Sequence, residues 1–332
     1  MNKKFYLHSL TSLAILTSGV AFAQQTGTAP SLEGGVTASI GTFYAVPTAD
    51  NESFGATRSF DEFGGQHFNV LNNQPGYDWG FDASLGYVFE ETANSVELFY
   101  RVFNTNDDTS FVGVAIDDFD EEDPLVHIES EITYELTTFD LMISQFFDVG
   151  RHMQLRLLGG LAYVNLEQKQ SAAFFEDDFV TVAKEHELDV ETIYQESEFS
   201  GWGPRIATDA RYEFGPGFGI VGGGSIAYYL GDLDTNSKFL DDEDFDENLY
   251  TTDDNDNHGV MNLRANLGVD YVYFFEEDET MSTLGVELGY FVDYYNDIVA
   301  SNNYIGQDAY FVGADTFAVS YSGPYLSVKG VF

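Results

Sequence analysis

The chain is 332 residues long and carries 13 Lys and Arg against 56 Asp and Glu, a formal charge of −43, with 30 Phe, 21 Tyr, 32 Gly and no Cys. This acidity argues against nucleic acid and other polyanions as partners and draws cations. Without cysteine there is no disulfide framework and no thiol chemistry.

The first residues, "MNKK", are basic, and "LTSLAILTSGV" and "AFAQ" follow. This is the pattern of a secretory signal peptide cut after Ala23, so residues 1–23 are expected to be removed, leaving one domain at 24–332. The apolar run is too short and too rich in Ser and Thr to span a bilayer as a helix, and no later stretch reaches the ~18 unbroken apolar residues needed.

Beyond the signal, period-two alternation recurs in about ten segments. In chain order they lie at 35–46, 77–89, 95–103, 127–147, 153–168, up to 201–212, 218–231, 260–274, 282–295 and 317–332, with a phase slip expected near Thr138 in the fourth. The connections alternate as well. Those at 90–94, 148–151, 213–217 and 275–280 are short, and those at 47–76, 104–125, 169–192, 232–259 and 296–316 are long and polar. An all-β fold follows: a transmembrane antiparallel up-and-down β-barrel of about ten strands, of the bacterial outer-membrane type, with tight periplasmic turns and long acidic extracellular loops.

The apolar sets, such as Trp79, Phe81, Leu85 in the second segment and Leu263, Leu267, Val269 in the eighth, are then lipid-facing. The alternate residues face a lumen. Its charges are expected to be Asp78, Asp82, Glu97, Arg101, Arg205, Asp209, Arg211, Arg264, Asp270, Glu287 and Asp293, with Asp82 nearly opposite Arg101 and Arg264 diagonal to Asp293. Aromatic girdles are expected at the two interfaces. Tyr87, Phe89, Tyr212, Tyr273 and Phe332 fall at the periplasmic ends; Tyr77, Trp79, Trp202 and Tyr294 fall at the outer ends.

The acid concentrates at 117–124, 175–179, 241–248 and 253–257. On an outer rim it either attracts cations or keeps the rim solvated, and it bridges loosely through divalent cations to lipopolysaccharide. Asp253, Asn255 and Asn257 begin like a calcium loop, but His258 stands where the turn needs glycine, and no metal site is assigned. His127, Glu129 and Glu131 near a rim carry no metal spacing, and there is no His-Glu-x-x-His or Gly-x-Ser-x-Gly. The glycines of "VGGGS" (221–225) read as strand packing rather than a phosphate loop, because no Lys follows. No enzyme activity and no cofactor is expected.

The segment "SGWGPRIATDARYEFGPGFGIVGGGSIAYYLGDLD" resembles the Legionella major outer membrane protein family in its Gly201–Arg205 start, its Asp209–Tyr212 strand end, its Gly215–Phe218 turn and its Gly-bearing next strand. "NLGVDYVY" and the closing "GPYLSVKGVF" are similar too. The resemblance implies a pore-forming role and supplies no catalytic residues; the cysteine chemistry of its best-known member has no counterpart here. The terminal Phe332 resembles the signal read by the barrel-assembly machinery, with Gly330 where that signal usually has an aromatic. The leading reading is a porin-like, cation-preferring channel for passive diffusion of small solutes; the alternative is a non-conducting surface barrel, its interior plugged by paired charges, serving adhesion or envelope structure. Ten strands lie near the size at which side chains fill the interior.

Overall fold

The computed structural model describes residues 34–60, 66–73, 75–114, 125–177, 190–241, 249–277, 280–305 and 310–332; the expected signal peptide and the acidic runs at 117–124, 178–179 and 242–248 lie outside them. Ten strands close into an antiparallel barrel: β1 (Gly35–Ala49), β4 (Asp78–Val88), β5 (Asn94–Val114), β6 (Leu125–Val149), β7 (Met153–Asp177), β8 (Val190–Gly215), β9 (Phe218–Asp241), β10 (Leu249–Glu277), β11 (Thr280–Ile305) and β12 (Tyr310–Val331). Neighbours in sequence are neighbours in the sheet, and β12 returns to pair with β1, where Val36 and Phe332 exchange both backbone hydrogen bonds at 2.9 Å. Closure leaves no sheet edge, as hydrocarbon demands. A separate hairpin, β2 (Ser53–Phe60) and β3 (Gln66–Asn72), fills the first long connection. The tight turns lie at the end that holds the start of β1 and the end of β12, and Gly150 and Gly217 take the left-handed φ of 77° that such turns need.

The long polar stretches are not loops over most of their length. β6 and β7 run 25 residues each, β8 26 and β10 29, whereas a tilted strand crosses a membrane in about 9–11. The sheet therefore continues well past the lipid as a collar. A polar sequence hid this, because outside the membrane an outward face of Asp, Glu and Asn is compatible with strand pairing, and polarity alone marks no strand end.

The expected phase slip at Thr138 is absent as well. Pairing of β6 with β5 and with β7 runs in unbroken register from Leu125 to the turn. What changes at Thr138 is the surroundings. Below it Phe139, Leu141 and Ile143 point outward and are exposed, while Asp140 and Ser144 point inward and are buried. Above it the outward set is Glu135, Glu131 and Glu129, and the buried inward set is Leu136, Tyr134 and Ile132. The strand keeps its phase and the polarity of its two faces exchanges. The same exchange occurs on β8, from outward Trp202 to outward Glu198, and on β9, from Leu230 to Asp232. An outward aromatic row marks the boundary across four strands: Tyr100 and Phe139 at 4.8 Å, Phe139 and Tyr163 at 6.4 Å, Tyr163 and Trp202 at 4.7 Å between ring centroids.

Above this row the interior is an apolar core. One contiguous cluster includes Phe43, Phe103, Tyr134, Leu166, Phe199, Leu233, Val260, Phe291 and Tyr321, so every barrel strand except β4 contributes a side chain. On β4, Gly80 lies under the Phe43 ring. Edge-to-face contacts of Tyr321 with Tyr134 (6.5 Å) and Phe103 (5.5 Å) reach across the bore between strands that are not neighbours. Two wall segments fold inward to complete the stopper. Pairing of β10 with β11 ends at Met261↔Asn296; beyond it Ile298, Val299 and Ala300 are all buried, and Ala300 N donates to Ser197 Oγ on β8 (2.8 Å). The base of the β2–β3 hairpin tucks in opposite: Asn51 Nδ2 donates to Gln168 Oε1 (2.7 Å), Tyr134 Oη donates to Glu52 Oε1 (2.9 Å), and Asn73 Nδ2 donates to Ser130 Oγ (3.0 Å).

Candidate functional site

Beneath the stopper the alternation of the membrane-spanning halves aims polar side chains at one another. They enclose a vestibule of about 360 Å³, reaching from Arg101, Arg264 and Phe291 at the stopper to Thr37, Gln154 and Val331 at the end that carries the tight turns. Its upper wall is a network joined across strands. Asp293 on β11 accepts from Arg264 Nη2 (2.6 Å) and from Asn262 Nδ2 (2.6 Å), and lies 3.5 Å from Arg101 Nη1 on β5, on the far side of the barrel. Arg101 is also held over the Phe43 and Phe291 rings, at 5.1 and 5.0 Å from their centroids. Arg205, 3% exposed, pairs with Asp140 and donates to the Tyr229 hydroxyl and to Asn262 Oδ1 (2.9 Å). In the lower wall Arg211 Nε meets Asp270 Oδ2 (2.6 Å), Lys329 Nζ meets Glu287 Oε2 (2.6 Å), and Arg156 pairs with Glu97. Buried charges of this kind persist only when paired and hydrogen-bonded.

Most residues expected in the lumen line this space: Asp82, Glu97, Arg101, Asp209, Arg211, Arg264, Asp270 and Glu287, with Arg205 and Asp293 in the network above it. Asp78 does not join them. It stands at the first residue of β4, and its carboxylate accepts from Trp79 N at 2.7 Å. The expected pairings need two corrections. Arg264 and Asp293 are directly opposite rather than diagonal. Asp82 and Arg101 are directly opposite, but Arg101 turns across the bore to Asp293 and makes no ion pair with Asp82. Strand pairing could be counted from the turn; the curvature that brings β5 toward β11 could not.

Three charged members of the networks escaped the sequence reading. Arg156 is embedded in "MQLRLLGGLAY", which is apolar on both faces, and Asp140 stands between Phe139 and Leu141 just below the supposed slip. Lys329 sits near the chain end and pairs with the neighbouring strand. Only the i, i+2 phase of each strand could have pointed to them.

Of the expected girdle residues, Tyr77, Trp79, Tyr87, Phe89, Trp202, Tyr212, Tyr273 and Phe332 are exposed on the outer wall; Tyr294 is half-buried and its hydroxyl donates to Asn296. The Phe332 ring lies over Gly330, on a spot that any larger residue at 330 would fill. Asp253, Asn255 and Asn257, expected on a loop, lie within β10, where the register against β9 shifts between Asn255 and His258. Among the described residues no group of three or more metal-ligating side chains is arranged around one point.

Residues 28–332 match the family described as the Legionella pneumophila major outer membrane protein precursor. No curated protein matches the chain. Among solved structures, the outer membrane protease OmpT from Escherichia coli is similar at 10% identity, over 90% of this chain and 97% of its own, with a TM-score of 0.47. The Pseudomonas putida toluene transporter TodX aligns over 90% and 89% at 7% identity and a TM-score of 0.24. A Pseudomonas aeruginosa FadL homologue aligns over 90% and 90% at 9% identity and 0.26. Likeness at this level carries no argument about activity. With its lipid-facing belt, closed ten-stranded wall and a family match over nearly its whole length, the chain belongs to the Legionella major outer membrane protein family and lies in the bacterial outer membrane.

Proposed function

We propose that this protein is a surface barrel with a closed bore, which spans the outer membrane and holds an acidic collar above it without passing hydrophilic solutes in its resting form. The observation that carries this reading is the apolar stopper, built from side chains of every barrel strand except β4 and from two inward-folded wall segments. Water and ions do not cross a packed layer of Phe, Tyr and Leu. The reading includes no catalytic step. In it, Phe332 delivers the chain to the barrel-assembly machinery, and the collar carboxylates bridge through divalent cations to lipopolysaccharide. Refolded protein in planar bilayers tests it. Bilayers should show no steady stepwise conductance at any of several salt concentrations, and regular, persistent steps would overturn the reading.

A second reading, a porin-like channel, is favoured by the charged vestibule below the stopper. If the stopper yields, the passage prefers cations, because the acidic collar concentrates them at the entrance. The reversal potential across a salt gradient then has the cation sign; an anion sign would refute this reading.

A further inference from the structure

The collar wall parts along one seam, between β10 and β11. Their ladder ends at Met261↔Asn296, yet both strands go on. From Leu249 to Val260, β10 pairs with β9 alone among the described residues, and its residues 252–257 are all exposed. β11 continues to Ile305 in the company of β12, so the two leave the wall together as a ribbon. The departure is marked in the backbone. Pairing of β11 with β12 passes from Tyr295↔Val319 to Val299↔Phe317, four residues on β11 against two on β12. Of the three non-glycine residues with a left-handed φ among the described residues, two flank the seam: Asn257 at 64° and Asp297 at 56°. Such conformations are strained and cluster in segments that switch. A hydrogen bond from His258 Nε2 to Asp297 O (2.6 Å) spans the seam at this point.

Inside the bore, side chains hold the ribbon where a strand would otherwise serve. Ala300 N donates to Ser197 Oγ (2.8 Å), and Asn302 O accepts from Gln195 Nε2 (3.0 Å). The two residues alternate along β11, so these backbone groups lie on one edge of it, and β12 holds the other. The capped edge is the one that β10 would occupy in an unbroken wall. Ser301 Oγ also donates to Gln195 Oε1 (2.7 Å), and Asn302 Nδ2 to Ser237 Oγ (2.9 Å). Burial of Ile298, Val299 and Ala300 favours this inward position. The edge of β10 offers a second one, because an open edge is a template for a further strand. Asp253, Asp254 and Asp256 keep acidic chains away from that edge, whereas residues 298–302 of β11 carry no charge.

We propose that the β11–β12 ribbon is the gate of the bore. It turns at Asn296–Ile298 between two docks. In the inward dock it completes the stopper. In the outward dock it pairs with the edge of β10, in the register that continues Met261↔Asn296 and sets Asn302 opposite Asn255. The swing exchanges the side-chain partners of Ala300 N and Asn302 O for ladder partners, so neither group is left unmet. It also takes Ile298 and Val299 out of the core, so the inward dock dominates at rest and the open form is the minor state. The gate rests on the closed-bore reading and names the part of the stopper that moves.

Disulfide trapping tests the gate, since the chain has no native cysteine. In the inward dock Asn302 lies against Ser237, four residues along β9 from Leu233, the partner of Asn255. That is roughly 13 Å of strand, beyond the reach of a disulfide, whose Cα atoms stand within about 7 Å. Asn255→Cys/Asn302→Cys, refolded and treated with copper phenanthroline, should crosslink with time. The trapped protein should show steady conductance in planar bilayers, and dithiothreitol should abolish it. Gln195→Cys/Ser301→Cys, which fastens the inward dock, should stay silent. Absence of the first crosslink, a crosslink without conductance, or conductance of the fastened pair overturns the gate. Deuterium uptake by the wild type needs no substitution that could disturb folding: residues 298–302 should exchange sooner than 132–136 of the same stopper, and equal protection overturns the gate as well. Steady conductance of the untreated wild type would refute the closed bore and the gate together; a silent wild type whose cysteine pair never crosslinks would refute the gate alone.

Discussion

Arg205 touches groups from three other strands: Asp140 on β6, Tyr229 on β9 and Asn262 on β10. Removing one partner of such a buried pair leaves an uncompensated charge, which costs about 3–5 kcal/mol. Asp140→Ala should therefore lower the stability of the refolded barrel by that amount in urea titrations, and a loss below ~1 kcal/mol would mean that the pair is not closed off from water. Glu52, outside the lipid band, is a carboxylate of a different kind. Burial holds its pKa above the ordinary 4.5, against the lowering hydrogen bonds from Ala49 N and the Tyr134 hydroxyl. The folded chain thus binds this proton more tightly than the unfolded chain. The contribution is fully present below the unfolded value and is lost as pH rises through the folded one. Wild type should lose stability relative to Glu52→Gln as pH rises above the ordinary carboxylate value of 4.5. A difference between the two that does not change with pH would refute the shift.

At the scale of the strand, the lipid-spanning halves were legible because hydrocarbon tolerates only one pattern: apolar outward, polar inward. The second segment, read as 77–89, is observed as β4 at Asp78–Val88, and its outward Trp79 and Leu85 are 64% and 61% exposed. The collar was not legible. Its strands look like polar loops because water replaces lipid outside while an apolar core replaces the polar lumen inside, so the phase seems to slip at Thr138 when only the surroundings change. Charge at Glu97 or Asp293 could be assigned to the lumen from strand phase alone; the choice of Asp293 over Asp82 by Arg101 needed the barrel's curvature. The two environments are separable by substitution. Leu267→Arg, in the lipid belt, should cost about 2–4 kcal/mol on folding into vesicles, whereas Glu198→Arg, outward on the same barrel but above the boundary, should stay within about 0.5 kcal/mol. Equal costs would place both sites in one medium. In the stopper, Phe103→Ala should cost about 3–5 kcal/mol and introduce conductance. A variant of unchanged stability would mean that the aromatic layer is not packed.

The whole molecule is a single sheet in two media. Its lower half is a membrane barrel with a charged vestibule, and its upper half is a barrel with a hydrophobic core and a polar outer face. The formal charge of −43 keeps the collar solvated and repels polyanions. The closed bore we propose rests on the upper half being folded like a soluble domain. Because the chain has no native cysteine, single-cysteine spin labels along β6 report on both media without interference. Labels at residues 139, 141 and 143 should collide with oxygen and not with a water-soluble nickel chelate; those at 129, 131 and 135 should do the reverse; those at 132, 134 and 136 should be shielded from both. Nickel access at 132, 134 and 136 would mean a water-filled bore, and oxygen-rich lipid contact at 129, 131 and 135 would abolish the exchange of faces at Thr138 on which the account depends.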